Sequence, residues 1–272
     1  SFTLLLKLTF NENVTMKKLS QSADTTIFTP ILPIIFFCCF LFNHASFADE
    51  ASKFYIEGLI GSDLKNLDAS SDYAGAPGYL CADCSTGKIG NTDTSGDITL
   101  GLKFGYKYSD SVRFDISYYS LGYGKTTWGT DFASFDGTYN PAFAFPFTGK
   151  LTSKTVFFST YYNLNLSTGF KPYIGAGIGP SWNKFHNASE SNYAEVDSND
   201  NFDIAYKFDI GVMYQVYKNM DIDFGVSFID VGDFQSAKNR KIIASGADES
   251  IAPYKFSSEL SPIVNLGIIY NF

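Results

Sequence analysis

From Ile98 to Tyr108 the chain alternates without a break. Ile98, Leu100, Leu102, Phe104, Tyr106 and Tyr108 fall on one side, and Thr99, Gly101, Lys103, Gly105 and Lys107 on the other. A period of two over this length is the pattern of a β-strand with two chemically different faces. Seven further stretches carry it. Lys53 to Gly61 sets Phe54, Ile56 and Ile60 against Tyr55, Glu57 and Leu59, and from Val112 the residues Phe114, Ile116 and Tyr118 oppose Arg113, Asp115, Ser117 and Tyr119. Val156, Phe158, Tyr162 and Leu164 face away from Phe157, Ser159, Tyr161 and Asn163, while Ile174, Ile178 and Trp182 face away from Gly175, Gly177, Gly179 and Ser181. Ile204 to Val216 and Ile222 to Phe228 repeat the pattern, and Pro262 to Phe272 closes the series. Each stretch of about ten residues is long enough to cross a bilayer as a tilted strand.

The connections alternate as well. Those after the second, fourth and sixth stretches are short turns. The others are long, at roughly residues 62–97, 124–153, 183–201 and 233–259. Eight strands with short turns at one end and long loops at the other predict an all-β fold, an eight-stranded antiparallel up-and-down transmembrane β-barrel. An even strand count puts both termini at the short-turn end, expected to be periplasmic, and the long loops outside the cell.

Alternation alone fits two barrels, a membrane barrel and a soluble lipocalin-like one whose apolar face lines a cavity. Size separates them. An eight-stranded barrel has an interior just wide enough for side chains to fill it. The Phe, Tyr and Ile of one face would overfill that space, whereas the Gly-rich face with scattered charges fits. The apolar face is therefore expected to point outward, which only lipid tolerates. Tyr106, Tyr108, Tyr214, Tyr270 and Phe272 would then form an aromatic girdle at one rim, with Trp182 and Tyr118 toward the other.

Composition agrees. The 272 residues are 17% aromatic and only 18% charged, so much of the chain suits a lipid-facing surface. The mean hydropathy of -0.03 leaves no room for several helical spans of ~20 apolar residues each. One apolar run, Ile31 to Phe42, follows Met16, Lys17 and Lys18 and precedes Ser46-Phe47-Ala48. This is the layout of a secretory signal peptide over residues 1–48, with 1–15 upstream of the true start and cleavage after Ala48. The competing reading, an uncleaved anchor, needs a longer apolar run. Cleavage would leave residues 49–272 as the barrel domain, with 17 basic and 26 acidic residues and a net charge of about −9. An acidic exported chain offers nucleic acid no electrostatic footprint.

The last stretch, with Leu266, Ile268, Tyr270 and Phe272 on one face and an aromatic at its end, resembles the closing strand of bacterial outer-membrane barrels. With the strand pattern of residues 53–272, the chain is similar to the small eight-stranded family that includes the OmpA transmembrane domain and the opacity proteins, porin-family surface antigens of Gram-negative bacteria. The resemblance implies that Leu266, Ile268, Tyr270 and Phe272 are read by the barrel-assembly machinery, that outer-membrane lipid and lipopolysaccharide surround a monomer, and that any host or environmental ligand is met by the loops. A peptidoglycan-binding domain of the OmpA type, and with it a wall-anchoring role, is not expected.

Candidate chemistry is sparse. Glu57, Lys103, Lys107, Arg113, Asp115, Lys207, Asp209, Asp221 and Asp223 share the inward parity. A lone buried ion is expensive, so they are expected to pair as a plug; a gated narrow pore, opened by exchange of partners, is the alternative. Cys81 and Cys84 form a CxxC, and in an exported chain a loop-stapling disulfide is expected rather than a metal site. His186 and Ser189, in the third long loop, are three apart, whereas the lipid-A deacylases of similar barrels place His and Ser two apart on a strand. No catalytic residue, cofactor or metal is expected, a lipid-modifying enzyme ranking below both the surface protein and the porin. Asp197, Asp200 and Asp203 lack the Gly and closing Glu of a calcium loop. The second loop is rich in aromatics, and Trp128, Phe132, Phe135 and Tyr139 are the candidate binding residues of an adhesin-like surface protein.

Overall fold

A computed structural model describes residues 53–63, 68–71, 88–131, 144–164, 166, 169–258 and 260–272. The segment expected to be a signal peptide, residues 1–48, and Cys81, Cys84, Phe132, Phe135 and Tyr139 lie outside the described residues. Eight strands build the barrel: β1 (Phe54–Asp63), β2 (Ile98–Lys107), β3 (Val112–Asp131), β4 (Ala144–Asn163), β5 (Phe170–Glu190), β6 (Asn199–Tyr217), β7 (Met220–Asp230) and β8 (Ser261–Asn271). Each pairs antiparallel with the next, and β8 returns to β1 with Tyr55 opposite Asn271 and Asp63 opposite Ile263. Closure leaves no barrel edge, so the backbone groups of all eight strands are satisfied between strands, as a bilayer requires.

The faces fall as the alternation predicts. Phe104, Ile116, Phe158, Ile178, Phe208, Phe224 and Ile268 point outward and are about half exposed, while Glu57, Lys103, Arg113 and Lys207 point inward and are buried. Taking a large apolar side chain out of water is worth about 1.5–3 kcal/mol. A continuous outward belt of such residues is stable only against lipid.

Both ends of the belt carry aromatics. At the short-turn end Phe170 packs at a tilt on Tyr214 (4.7 Å between centroids), Phe54 likewise on Tyr106 (5.2 Å), and Tyr270 meets Phe272 edge to face (5.6 Å). The first and last strands meet there, where Phe272 N donates to Phe54 O, and beside them Lys107 N at the end of β2 donates to Lys53 O. At the long-connection end Trp182 lies edge-on to Phe202, 6.0 Å away. Leu266, Ile268, Tyr270 and Phe272 all lie on the outward face of β8 or just past its end.

The expected loop boundaries need correction. Residues 124–131 and 144–153 belong to β3 and β4, and 183–190 to β5, so these strands run 20 to 21 residues. A span needs only ~9–11. β3, β4 and β5 thus overrun the belt by about a further span. The short strand Lys88–Thr94 adds to β3, and Ala194–Val196 adds to β5. The fourth long connection is not an open loop either. It forms the short strands Asp233–Gln235, Asn239–Ile242, Asp248–Ser250 and Tyr254–Ser257.

Candidate functional site: the lumen and its mouth

Tyrosines and glycines shape the lumen. Tyr55 lies opposite Gly105, Tyr161 opposite Gly175 and Tyr173 opposite Gly211 in the strand register. A Cβ at any of these glycines would overlap the tyrosine side chain opposite. The inward glycines therefore make room for large rings laid across the neighbouring strand. This answers the crowding that a narrow barrel imposes.

The rings then organise the charges. Arg113 is fully buried, its guanidinium 4.3 Å from the ring centroid of Tyr161 and 4.6 Å from that of Tyr173. Arg113 Nη1 donates to the Tyr55 hydroxyl (3.3 Å), and that hydroxyl donates to Asp115 Oδ2 (3.3 Å). Lys207 Nζ donates to Asp209 Oδ2 and to the Tyr161 hydroxyl, both at 2.6 Å, and Tyr161 donates to the same carboxylate oxygen at 2.8 Å. Lys103 bridges Glu57 at 2.8 Å and lies 3.8 Å from Asp223, which also accepts from Tyr173 at 3.0 Å. At the short-turn rim Asn271 joins the last two charges, donating to Asp221 at 2.8 Å and accepting from Lys107.

The structure thus brings together all nine charges predicted for the lumen. The sequence reading missed that Tyr55, Tyr161, Tyr173 and Asn271 link them. The signal was present, because each has inward parity and each tyrosine faces a glycine across the strand pair.

Beyond this ionic layer lies a hydroxyl layer. Ser181 Oγ donates to Asn183 Oδ1 at 2.7 Å, while Asn183 Nδ2 donates to the Val231 and Asp233 carbonyls at 2.7 and 3.0 Å. Asn199, Asn201 and Asp203 add bonds to Gln235 and Asp233. These side chains fasten the start of the fourth long connection to β5 and β6.

That connection closes the mouth. Phe234, Ile251, Tyr254 and Phe256 are buried, and Tyr254–Ser257 pairs with Asp233–Gln235 and with Asp68–Ser71 in a three-stranded sheet. Their rings meet the inward faces of the overrunning strands. Trp128 lies 5.1 Å from Phe256, 5.3 Å from Tyr254, 5.9 Å from Phe185 and 6.0 Å from Phe147. Glu190 holds the rim, accepting from Arg240 Nη1 and from the Tyr254 hydroxyl, each at 2.7 Å, and Arg240 also bridges Glu249. Glu190 is buried, and that burial raises its carboxyl above the ordinary value, against the two bonds that oppose the rise.

Two expected placements change. Trp128 is not on an exposed loop: it is 2% exposed and forms the centre of this apolar plug. Its inward parity on β3 turns the indole toward Phe256 rather than toward solvent. His186 and Ser189 lie on β5 rather than in a loop. Ser189 Oγ donates to Ser191 O at 2.7 Å, a contact local to that strand's end. Asp200 pairs with Lys184 at 3.5 Å, and Asp203 accepts from the backbone of Ile204 and Asp233.

Comparison with known proteins gives the arrangement its place. A search of curated proteins finds no match. Among solved structures, the outer membrane protein OprG from Pseudomonas aeruginosa is similar over 82% of this chain and 97% of that one, at 15% identity and a TM-score of 0.52, a likeness of fold. Neisserial surface protein A aligns over 82% of this chain and all of that one, at 15% identity and a TM-score of 0.44. The outer membrane protease OmpT from Escherichia coli aligns over 81% and 94%, at 10% identity and a TM-score of 0.46. The family model described as the outer membrane protein β-barrel domain matches residues 34–248. The chain belongs to that outer-membrane β-barrel family.

Proposed function

We propose that this protein is a non-enzymatic surface protein of the Gram-negative outer membrane, a closed barrel that acts through its exterior hairpins as an adhesin-like or antigenic module or as a structural component. The long-connection end faces outside the cell, the short-turn end faces the periplasm, and a signal peptide ending at Ala48 is removed on export. The observation that carries this reading is the double closure of the lumen. A layer of ion pairs and tyrosines fills its middle, and an aromatic plug fills its mouth. What such a barrel offers a partner is its outside, where β3, β4 and β5 overrun the bilayer.

Expression of the full chain in the outer membrane of a non-adherent host tests the reading. Cells are expected to gain adhesion to host-matrix or polysaccharide-coated surfaces, and to lose it when residues 132–143 are replaced by a two-residue turn. Adhesion that survives the replacement would move the function away from the β3–β4 tip.

A second reading, a gated pore, draws on the polarity of the lumen wall. Thr99 Oγ1, Ser117 Oγ, Asp115 Oδ1 and Asp223 Oδ1 are buried with no hydrogen-bond partner among the described residues. Such atoms ordinarily bind water. Discrete conductance from the purified protein would favour this reading.

A further inference from the structure

At the short-turn rim three side chains from three strands meet in a row. Lys107 Nζ, at the end of β2, donates to Asn271 Oδ1 at 2.5 Å, and Asn271 Nδ2 donates to Asp221 Oδ2 at 2.8 Å. An amine on one side of a carboxamide and a carboxylate on the other are the parts of an amide exchange. Nucleophile, carbonyl carbon, leaving nitrogen and proton carrier already stand in sequence.

The backbone holds them there. Asn271 N donates to Asn219 O at 2.8 Å, Phe272 N to Phe54 O at 3.2 Å and Lys107 N to Lys53 O at 2.7 Å. Asp221 stands directly opposite Ile269, two residues before Asn271 on the same face, and both are buried. The amide carbon lies one C=O bond beyond the contacted oxygen, so Nζ is at most about 3.7 Å from it. Attack needs about 3–3.5 Å. The last torsion of an asparagine is soft, so the amide can turn its face to the amine. Reaction requires the uncharged amine, and Lys107 lies directly opposite Arg113, where a second cation is repelled. Asp221 Oδ1 is buried with no hydrogen-bond partner among the described residues, which leaves it open to take a proton.

We infer that Lys107 and Asn271 form an intramolecular isopeptide bond, with Asp221 as the proton carrier. The Nζ lone pair attacks Cγ of Asn271, a C–N bond forms, and the carbonyl electrons move to Oδ1. Asp221 takes one proton from Nζ and gives it to Nδ2. The carbonyl re-forms, the Cγ–Nδ2 bond breaks and ammonia leaves. Nothing is oxidised or reduced, and the carboxylate is returned unchanged. The product ties β2 to β8 across β1, at the seam where the barrel closes. A barrel opens by parting two neighbouring strands, and this link holds the first and last together. The bond is independent of which end of the barrel faces outside.

The test uses full-length protein extracted from outer membranes, its fold verified by the heat-shifted gel band. The protein is denatured, digested with trypsin and mapped by mass spectrometry. Trypsin cuts after Lys103, Lys107, Arg113 and Lys255. The expected product is a branched peptide, Phe104–Arg113 uncut at Lys107 and joined to Phe256–Phe272, lighter than the two by one ammonia. K107R keeps the cation without the primary amine and is expected to give no branched peptide. D221N keeps a hydrogen-bonding group without the proton transfer and is expected to give at least about tenfold less. After boiling in SDS the linked native chain should also run ahead of K107R. The native map decides the bond even if a variant fails to fold. Separate peptides ending at Lys107 and at Phe272, with Asn271 intact, would overturn it. Ammonia loss confined to Phe256–Phe272, the mark of a succinimide within that peptide, would overturn it as well. A branched peptide undiminished in folded D221N would overturn the role of Asp221.

Discussion

The guanidinium of Arg113 stands 4.3 Å from the ring centroid of Tyr161, and the same ring lies across Gly175 on the next strand. One glycine, one tyrosine and one arginine thus define how the lumen is packed. Arg113→Ala removes a buried cation and leaves Asp115 linked only to the Tyr55 hydroxyl. Breaking a buried charge arrangement from one side costs about 3–5 kcal/mol. Urea titration of the detergent-folded barrel, followed by the heat-shifted gel band, is expected to show a loss of that order.

Gly175→Ala is expected to destabilise by about 1–3 kcal/mol, the usual cost of overpacking. Its Cβ would overlap the Tyr161 ring. The double variant with Tyr161→Ala should recover most of the glycine substitution's own cost, because the clashing ring is gone. Additive losses in the same urea titration would show that ring and glycine do not interact.

Trp128→Ala is expected to open the mouth without dissolving the membrane barrel. The indole packs on Phe147, Phe185, Tyr254 and Phe256, and truncating a large buried aromatic costs about 3–5 kcal/mol. Limited proteolysis should cut within residues 233–258 much faster in the variant, while the heat shift of the barrel remains. Protection unchanged from the native chain would mean that the plug is held by other contacts.

The Glu190 anchor gives the cap a pH dependence. Burial raises its carboxyl above the ordinary value of 4.5, so the folded cap binds a proton more tightly than the opened one. The cap is therefore most stable at low pH and loses stability as pH rises from about 4.5 through the raised value. Hydrogen exchange at Tyr254–Ser257, corrected for intrinsic rates, should quicken over that window. Glu190→Gln should remove most of the slope.

Much of this was legible in the alternation. From Ile98 to Tyr108 no residue breaks the period of two, and the sizes of the two faces decided which pointed out. The nine lumen charges followed from parity alone. Strand ends were less readable, because β3 beyond Gly122 and β4 before Ser153 lose the apolar outward face, with Lys125, Lys150 and Thr152 there, while Tyr123, Trp128, Phe147 and Leu151 turn inward. A register shift between Gly122 and Lys125 also interrupts the period there. Trp128 was mistaken for a loop residue for the same reason: its burial depends on Phe256 and Tyr254, far along the chain, folding into the mouth. The tyrosine links were missed because a cross-strand Tyr–Gly pair is invisible until the register is known.

Single-channel recording tests the central claim, a closed lumen in a membrane-embedded barrel. Protein extracted from outer membranes, with its fold verified by the heat-shifted band, would be inserted into a planar bilayer and recorded in molar salt. The account predicts a flat trace for the native chain, with the lumen held shut by Arg113, Lys207 and their tyrosines even when the Trp128 plug is removed. Discrete, reproducible conductance steps from the native chain would contradict it and make the barrel a pore.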